Sequence, residues 1–246
     1  MLNIEERGDV TVLRLEHGRV NAMDAELLDA VTAAVTATDR AVLITGTGTA
    51  FSAGVDLRRI LDGGPTYVAD FLVALSRMFR AVFDHPRPTV AAVNGHAIAG
   101  GCVLALACDV RLMSGGRIGL AELAVGVPFP VAALEIVRHA LGPRADRVLL
   151  GADTVDAEQA LALGLVDQLT GPGDLLPRGL SLAAELASRS PEAYRSAKER
   201  LHRPARAAID AATPDEHAAV LDGWTSAETR GRIEAALERL ATRHAG

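Results

Sequence analysis

Phe51-Ser52-Ala53-Gly54-Val55-Asp56 and Asn94-Gly95-His96-Ala97-Ile98-Ala99-Gly100-Gly101-Cys102 are the two stretches on which the reading of this chain turns. In each, glycine follows an apolar run, so bare backbone N–H groups can face a ligand. Two such donors converging on one point form an oxyanion hole, which stabilises the anion developed when a thioester or another acyl compound reacts. Just past the second stretch, Val103 stands where an acid would be chemically useful. The next carboxylate in a comparably apolar setting is Glu122.

Outward from these stretches the pattern alternates between strand and helix. Val10 to Leu15 alternates as a strand, and Ala41 to Thr45 is a short β-branched run of the buried type. Between them Asp24 caps a helix that reaches about Thr38. The order recurs as a helix from about Thr66 to Phe83, a breaker at Asp84-His85-Pro86-Arg87-Pro88, a strand at Thr89 to Val93, a helix at Gly100 to Ala107 and a strand at Asp109 to Met113. Such alternation predicts an α/β fold with largely parallel strands. Beyond Pro130, helices are expected at Val131 to Leu141, Asp156 to Leu163, Gly173 to Ser188, Pro191 to His202 and Pro214 to Thr242, with one short strand within Leu165 to Leu169. Trp224, Ile233, Leu237 and Leu240 form a stripe expected to be core or subunit interface.

Bulk properties narrow the function classes. With 246 residues and 49% hydrophobic content, the chain suits one domain plus a helical appendage. A net charge of −6 argues against general attraction to nucleic acid or to an anionic membrane. Lys198 is the only lysine, and the many arginines suit a phosphorylated ligand. Cys102 and Cys108 read as reduced core residues. Thr89 to Val110 is interrupted by Asn94, His96 and glycines, too soon for the ~20 apolar residues of a membrane span. Met1 to Asp9 shows no apolar targeting segment, so a cytoplasmic location is expected.

Several chemistries lack their residues. There is no G-x-S-x-G elbow, no H-E-x-x-H and no Walker lysine. Gly46-Thr47-Gly48 lacks the third glycine of a dinucleotide fingerprint, and the histidines have no metal-ligand spacing. What remains is the pair of backbone-donor segments and Glu122. A desolvated Glu122 gains a pKa near neutrality and can act as a general base. A Glu122 paired with Arg111 or Arg117, or facing solvent, does not; the residues leave both readings open.

The chain resembles the crotonase superfamily, also called the enoyl-CoA hydratase/isomerase family, over nearly its whole length. The resemblance is carried by Val20-Asn21-Ala22-Met23-Asp24, Ala50 to Leu57, Asn94 to Asp109, Ala121 to Pro128, Ala157 to Val166 and the helical tail. It implies a ββα spiral acting as the acyl-CoA-binding catalytic core, placed at residues 1–190, and a C-terminal helical oligomerisation region at 191–246. It further implies a coenzyme A thioester as substrate, no cofactor beyond the coenzyme A that the substrate carries, and a homotrimer or dimer of trimers. Carried over by position, Val55 and Gly100 supply the oxyanion-hole N–H groups and Glu122 the base. Arg19, Val20, Ala22, Ala53, Gly54, Asp56, Leu57, Gly101 and Val103 fall in substrate- and CoA-binding segments, and Arg58 stands where a basic side chain often approaches the CoA phosphates.

The resemblance also exposes a departure. Hydratases of the family use two glutamates to hold and activate water, and here the first of these positions is Val103. A single base suits a Δ3,Δ2-enoyl-CoA isomerase, in which one carboxylate takes a proton from C2 and returns one at C4. The alternatives are an enoyl-CoA hydratase with a different acid/base supply and a non-catalytic acyl-CoA-binding protein. A peptidase is remote, because no Ser, His and Asp fall at suggestive positions.

Overall fold

The computed structural model describes residues 1–244, apart from the side chains of 240, 243 and 244; the Leu240 side chain of the expected stripe therefore lies outside the described residues. The chain begins with β1 (Leu2–Arg7), antiparallel to β2 (Val10–Leu15), followed by α1 (Ala25–Ala37). Three successive units then repeat one order, a strand, a shorter strand and a helix. They are β3 (Ala41–Thr45), β4 (Ala50–Ser52) and α2 (Leu57–Phe83); β5 (Thr89–Val93), β6 (His96–Ile98) and α3 (Gly100–Leu106); and β7 (Val110–Met113), β8 (Ile118–Gly119) and α4 (Glu122–Val125). The remainder is α5 (Val131–Leu141), α6 (Ala145–Gly151), β9 (Thr154–Val155), α7 (Ala157–Leu163), β10 (Gln168–Leu169), α8 (Leu175–Ala187), α9 (Pro191–Asp210), α10 (Pro214–Thr225) and α11 (Ala227–His244).

The first strand of each unit joins a six-stranded sheet of order β1-β2-β3-β5-β7-β10. The second joins a four-stranded sheet of order β4-β6-β8-β9, in which β4, β6 and β8 run parallel. Each turn of the chain thus adds one strand to each sheet, which is the expected ββα spiral. The residues of β3 and β5 are buried on both faces. Between the sheets and helices sit Leu13, Ile44, Phe51, Phe71, Phe79 and Phe83, while α8 covers the far face of the larger sheet with Leu182 and Leu186 against Leu43 and Val90. Burial of this apolar area, at about 25 cal/mol per Å2, is the main force holding the layers together.

Four of the differences from the sequence reading have a local reason. Strand β1 was not expected: only Leu2 and Ile4 mark it as apolar, and it is a largely exposed edge. Helix α2 starts at Leu57, ahead of the expected Thr66, because Asp56 caps it, accepting from Arg58 N and Arg59 N; Gly64, at φ 70°, and Pro65 make only a kink within it. Helix α9 runs through Pro204 to Asp210, beyond the expected end at His202. The carbonyl that Pro204 leaves without a donor belongs to exposed Arg200, where water can serve it. The single helix expected over Pro214 to Thr242 is two, because Ser226 adopts extended backbone and its hydroxyl accepts from Thr229 N.

The step from residue 190 to 191 falls at the N-cap of α9. Helix α9 packs on α5, while α10 and α11 pack on α2, and α11 also on α4. Among the described residues, no helix is long and apolar enough to cross a membrane.

Candidate active site

The parallel strands β4, β6 and β8 end on the same side of the small sheet, and each leads within a few residues into a helix. The carboxyl ends of parallel strands are where α/β folds place ligands. A cavity of about 290 Å3 opens there, lined by Ala53, Val55 and Leu57 after β4, Ile98, Ala99, Gly100 and Val103 after β6, and Ala121 and Glu122 after β8. Phe79, Phe129, Pro130 and Ala133 form apolar wall, and Trp224, Ala236 and Arg239 reach it from α10 and α11.

Val55 and Gly100 line this space, and the local backbone leaves each N–H outside the neighbouring pairing. Residues on either side of Val55 are pinned to Met23: Met23 N donates to Gly54 O at 2.7 Å and Asp56 N donates to Met23 O at 2.9 Å. In such a parallel bridge the groups of Val55 itself point the other way, away from Met23, and Val55 lines the cavity. Gly100 is the first residue of α3, so its N–H has no partner within the helix. Ahead of it, Ala99 holds φ 49° and ψ −119°, a conformation strained for a residue with a side chain and worth about 1–3 kcal/mol. Ala99 is tied to the small sheet there, its N–H donating to Gly119 O at 2.8 Å.

Glu122 faces the same space. Its side chain is 7% exposed and its Oε2 has no hydrogen-bond partner. Desolvation by its apolar surroundings pushes its carboxyl up to about 8. The ion-paired alternative does not occur: Arg111 is bound to Asp167 at 2.8 Å, and Arg117 to Thr154. Val103 is buried in the same cavity, and Glu122 is the only carboxylate among its described lining residues. Glu135 pairs instead with Arg138 at 3.0 Å. Among the described residues no group of three or more His, Cys, Asp or Glu is placed to hold a metal ion.

The other sequence candidates divide by position. Ala53 and Leu57 line the cavity, whereas Arg19, Val20, Ala22, Asp56 and Arg58 do not. Arg19, Val20 and Arg58 are exposed, and Asp56 serves as the N-cap of α2. The Arg19–Ala22 segment still adjoins the cavity rim, since Ala53 N donates to Val20 O at 2.9 Å. Gly54 and Gly101 act through close approach rather than lining. A Cβ at Gly54 would lie 2.6 Å from Ile98 O, and one at Gly101 would lie 2.3 Å from Ser52 O.

Sequence reasoning missed the part of the wall built by α10 and α11. Trp224 was expected as core or interface; it is buried and also lines the cavity, with its Nε1–H donating to Pro128 O at 2.8 Å. No local motif marks Ala236 or Arg239, because their place depends on how α11 folds back.

Comparison with known proteins agrees with this architecture. The family model described as enoyl-CoA hydratase/isomerase matches residues 5–242. A Thermus thermophilus relative carrying an enoyl-CoA hydratase name is 42% identical over 167 residues, 66% of this chain and 66% of that protein. The human mitochondrial Δ3-Δ2-enoyl-CoA isomerase superposes with a TM-score of 0.93 at 23% identity, covering 98% of each chain. An enoyl-CoA isomerase structure from Mycobacterium tuberculosis superposes with a TM-score of 0.80 at 30% identity, covering 91% of this chain and 96% of that one.

Proposed function

We propose that this chain, which belongs to the enoyl-CoA hydratase/isomerase family, is a Δ3,Δ2-enoyl-CoA isomerase with Glu122 as its single acid/base. The observation that carries the reading is a cavity whose one described carboxylate is desolvated, with its Oε2 unpartnered, and which has valine at 103. In this mechanism the thioester oxygen of a 3-enoyl-CoA accepts hydrogen bonds from Val55 N–H and Gly100 N–H. The Glu122 carboxylate removes a proton from C2, and the electron pair spreads over the dienolate to the thioester oxygen. Protonated Glu122 then gives a proton to C4, leaving the double bond between C2 and C3. A base with a pKa near the working pH is well matched to taking and returning one proton. Val103 adds no acceptor that could hold a water for addition.

The CoA portion enters past Ala53 and Leu57 in this reading. Asp56, through its cap on α2, fixes the start of that helix, and Gly54 and Gly101 keep the two segments in contact. Arg19, Val20 and Arg58, exposed beside the rim, and half-buried Ala22 approach the nucleotide part. CoA enters only as part of the substrate. The assembly is proposed as a homotrimer or dimer of trimers, with residues 191–246 as the oligomerisation region. Supporting this, Val73 is 68% exposed and borders an apolar groove shared with Ala218 and Leu221 of α10.

A second reading, water addition to a 2-enoyl-CoA, is favoured by the hydratase name of the Thermus thermophilus relative. The two separate in one experiment on purified protein. The isomerase converts a 3-enoyl-CoA to the conjugated 2-enoyl-CoA and leaves crotonyl-CoA absorbance unchanged in water; a hydratase bleaches crotonyl-CoA. Tight acyl-CoA binding without C2 proton exchange in deuterated water identifies a non-catalytic binder.

A further inference from the structure

The elbow between α10 and α11 is fastened to the loop that carries Glu122. Thr229 Oγ1–H donates to Gly126 O at 3.0 Å, and Trp224 Nε1–H donates to Pro128 O at 2.8 Å. The fit is close as well as hydrogen-bonded: a Cβ at Gly126 would lie 2.5 Å from Arg232 Cδ, and one at Gly223 would lie 2.6 Å from Pro128 Cγ. Gly126, at φ 78°, is the C-cap of α4, and Val127 N donates back to Glu122 O at 3.1 Å. Helix α4 is a single turn of four residues, too short to hold its shape unaided. Its end is held from outside by Thr229, which is 3% exposed. On the other side of the elbow, Arg230 Nη2 donates to Leu61 O at 3.0 Å, in the first stretch of α2 just after the Val55 segment. The elbow therefore ties together the two sides of the cavity.

We infer that Thr229 is a positioning residue for the reaction, acting through Gly126 to fix the short helix from which Glu122 reaches the cavity. This rests on the assignment of Glu122 as the base. Thr229 itself does not line the cavity. Its hydroxyl fixes a carbonyl four residues beyond Glu122, and Trp224 fixes a second two residues later. Displacement of a reacting group by about 1 Å costs on the order of a hundredfold in rate, so a modest loosening of this turn reaches the chemistry. The buried, water-poor setting of Glu122 depends on the same closure.

The test compares Thr229→Val, which keeps the shape and removes the hydroxyl, with Thr229→Ser, which keeps the hydroxyl. Two readouts are taken: steady-state isomerisation of a 3-enoyl-CoA, and titration of the Glu122 carboxyl followed by difference infrared spectroscopy against Glu122→Gln. Thr229→Val is expected to lower kcat by on the order of ten- to a hundredfold with KM little changed. It should also move the Glu122 titration from about 8 toward the ordinary carboxylate range as water enters. Thr229→Ser should restore both. A Thr229→Val protein that is folded, with the Glu122 titration and kcat within twofold of wild type, overturns the inference. If the wild type proves inactive on 3-enoyl-CoA, the assignment of the reaction fails, while the titration still decides whether Thr229 sets the environment of Glu122.

Discussion

Gly54 and Gly100 meet backbone to backbone: a Cβ at Gly54 would stand 3.2 Å from Gly100 N, and one at Gly100 would stand 3.8 Å from Gly54 Cα. The contact brings the segments after β4 and β6 to one spot, as the proposed oxyanion hole of the Val55 and Gly100 N–H groups requires. It also explains why glycine is needed at 54, where φ is 83° and Ile98 O closes the space.

Gly54→Ala should therefore push the two segments apart. The loss of one aligned oxyanion donor costs about 10²–10³ in kcat. Steady-state kinetics, with circular dichroism to confirm folding, should show that loss in kcat.

Glu122 fixes the pH dependence. The base must be ionised, so kcat/KM should rise with pH and level off above about 8. Stability runs the other way. The folded state holds the Glu122 proton up to about 8, whereas an unfolded chain releases it near 4.5, so the folded state binds more protons in that window and stability falls as pH rises through it. Glu122→Gln lacks this penalty. Its Tm relative to wild type should climb between those pH values and then level, which thermal unfolding across the range will measure.

Val103→Glu would place a second carboxylate in the same apolar cavity. Burial of that group should lower Tm. If two carboxylates are what water addition requires, the variant should raise the ratio of crotonyl-CoA hydration to 3-enoyl-CoA isomerisation, measured on one preparation.

Away from the cavity, Lys198 and Asp109 form a buried pair at 2.8 Å, and Tyr194 Oη–H and Thr89 N also donate to Asp109. Breaking such a pair by removing one partner costs about 3–5 kcal/mol, because the other charge stays buried. Lys198→Met should show a loss of that size in urea unfolding. Lys198→Met with Asp109→Asn should lose less than the two single changes added together.

Much of this arrangement was legible in the sequence. Val10–Leu15 was readable from its alternation, and Ala41–Thr45 and Thr89–Val93 because buried parallel strands are continuous apolar runs. The two- and three-residue strands of the small sheet, β4, β6, β8 and β9, were not read. They are too short to show a period, and long-range pairing alone defines them. The same holds at the cavity. Val55, Gly100, Val103 and Glu122 sit in local motifs and were found together. Trp224, Ala236 and Arg239 reach the wall only because Ser226 breaks the terminal helix, and Ser226 had read as helix interior. The resemblance to known proteins gave roles for Arg19, Val20, Ala22 and Arg58 that their positions outside the cavity lining leave as proposals.

In the proposed mechanism one carboxylate moves the proton. The most direct measurement is proton NMR of a 3-enoyl-CoA incubated in deuterated water with wild type and with Glu122→Gln. The account predicts that wild type yields the 2-enoyl-CoA with solvent deuterium in the acyl chain, and that Glu122→Gln binds the ester but yields none. Undiminished conversion by Glu122→Gln, or a wild type that leaves the 3-enoyl-CoA unchanged while hydrating crotonyl-CoA, would contradict it.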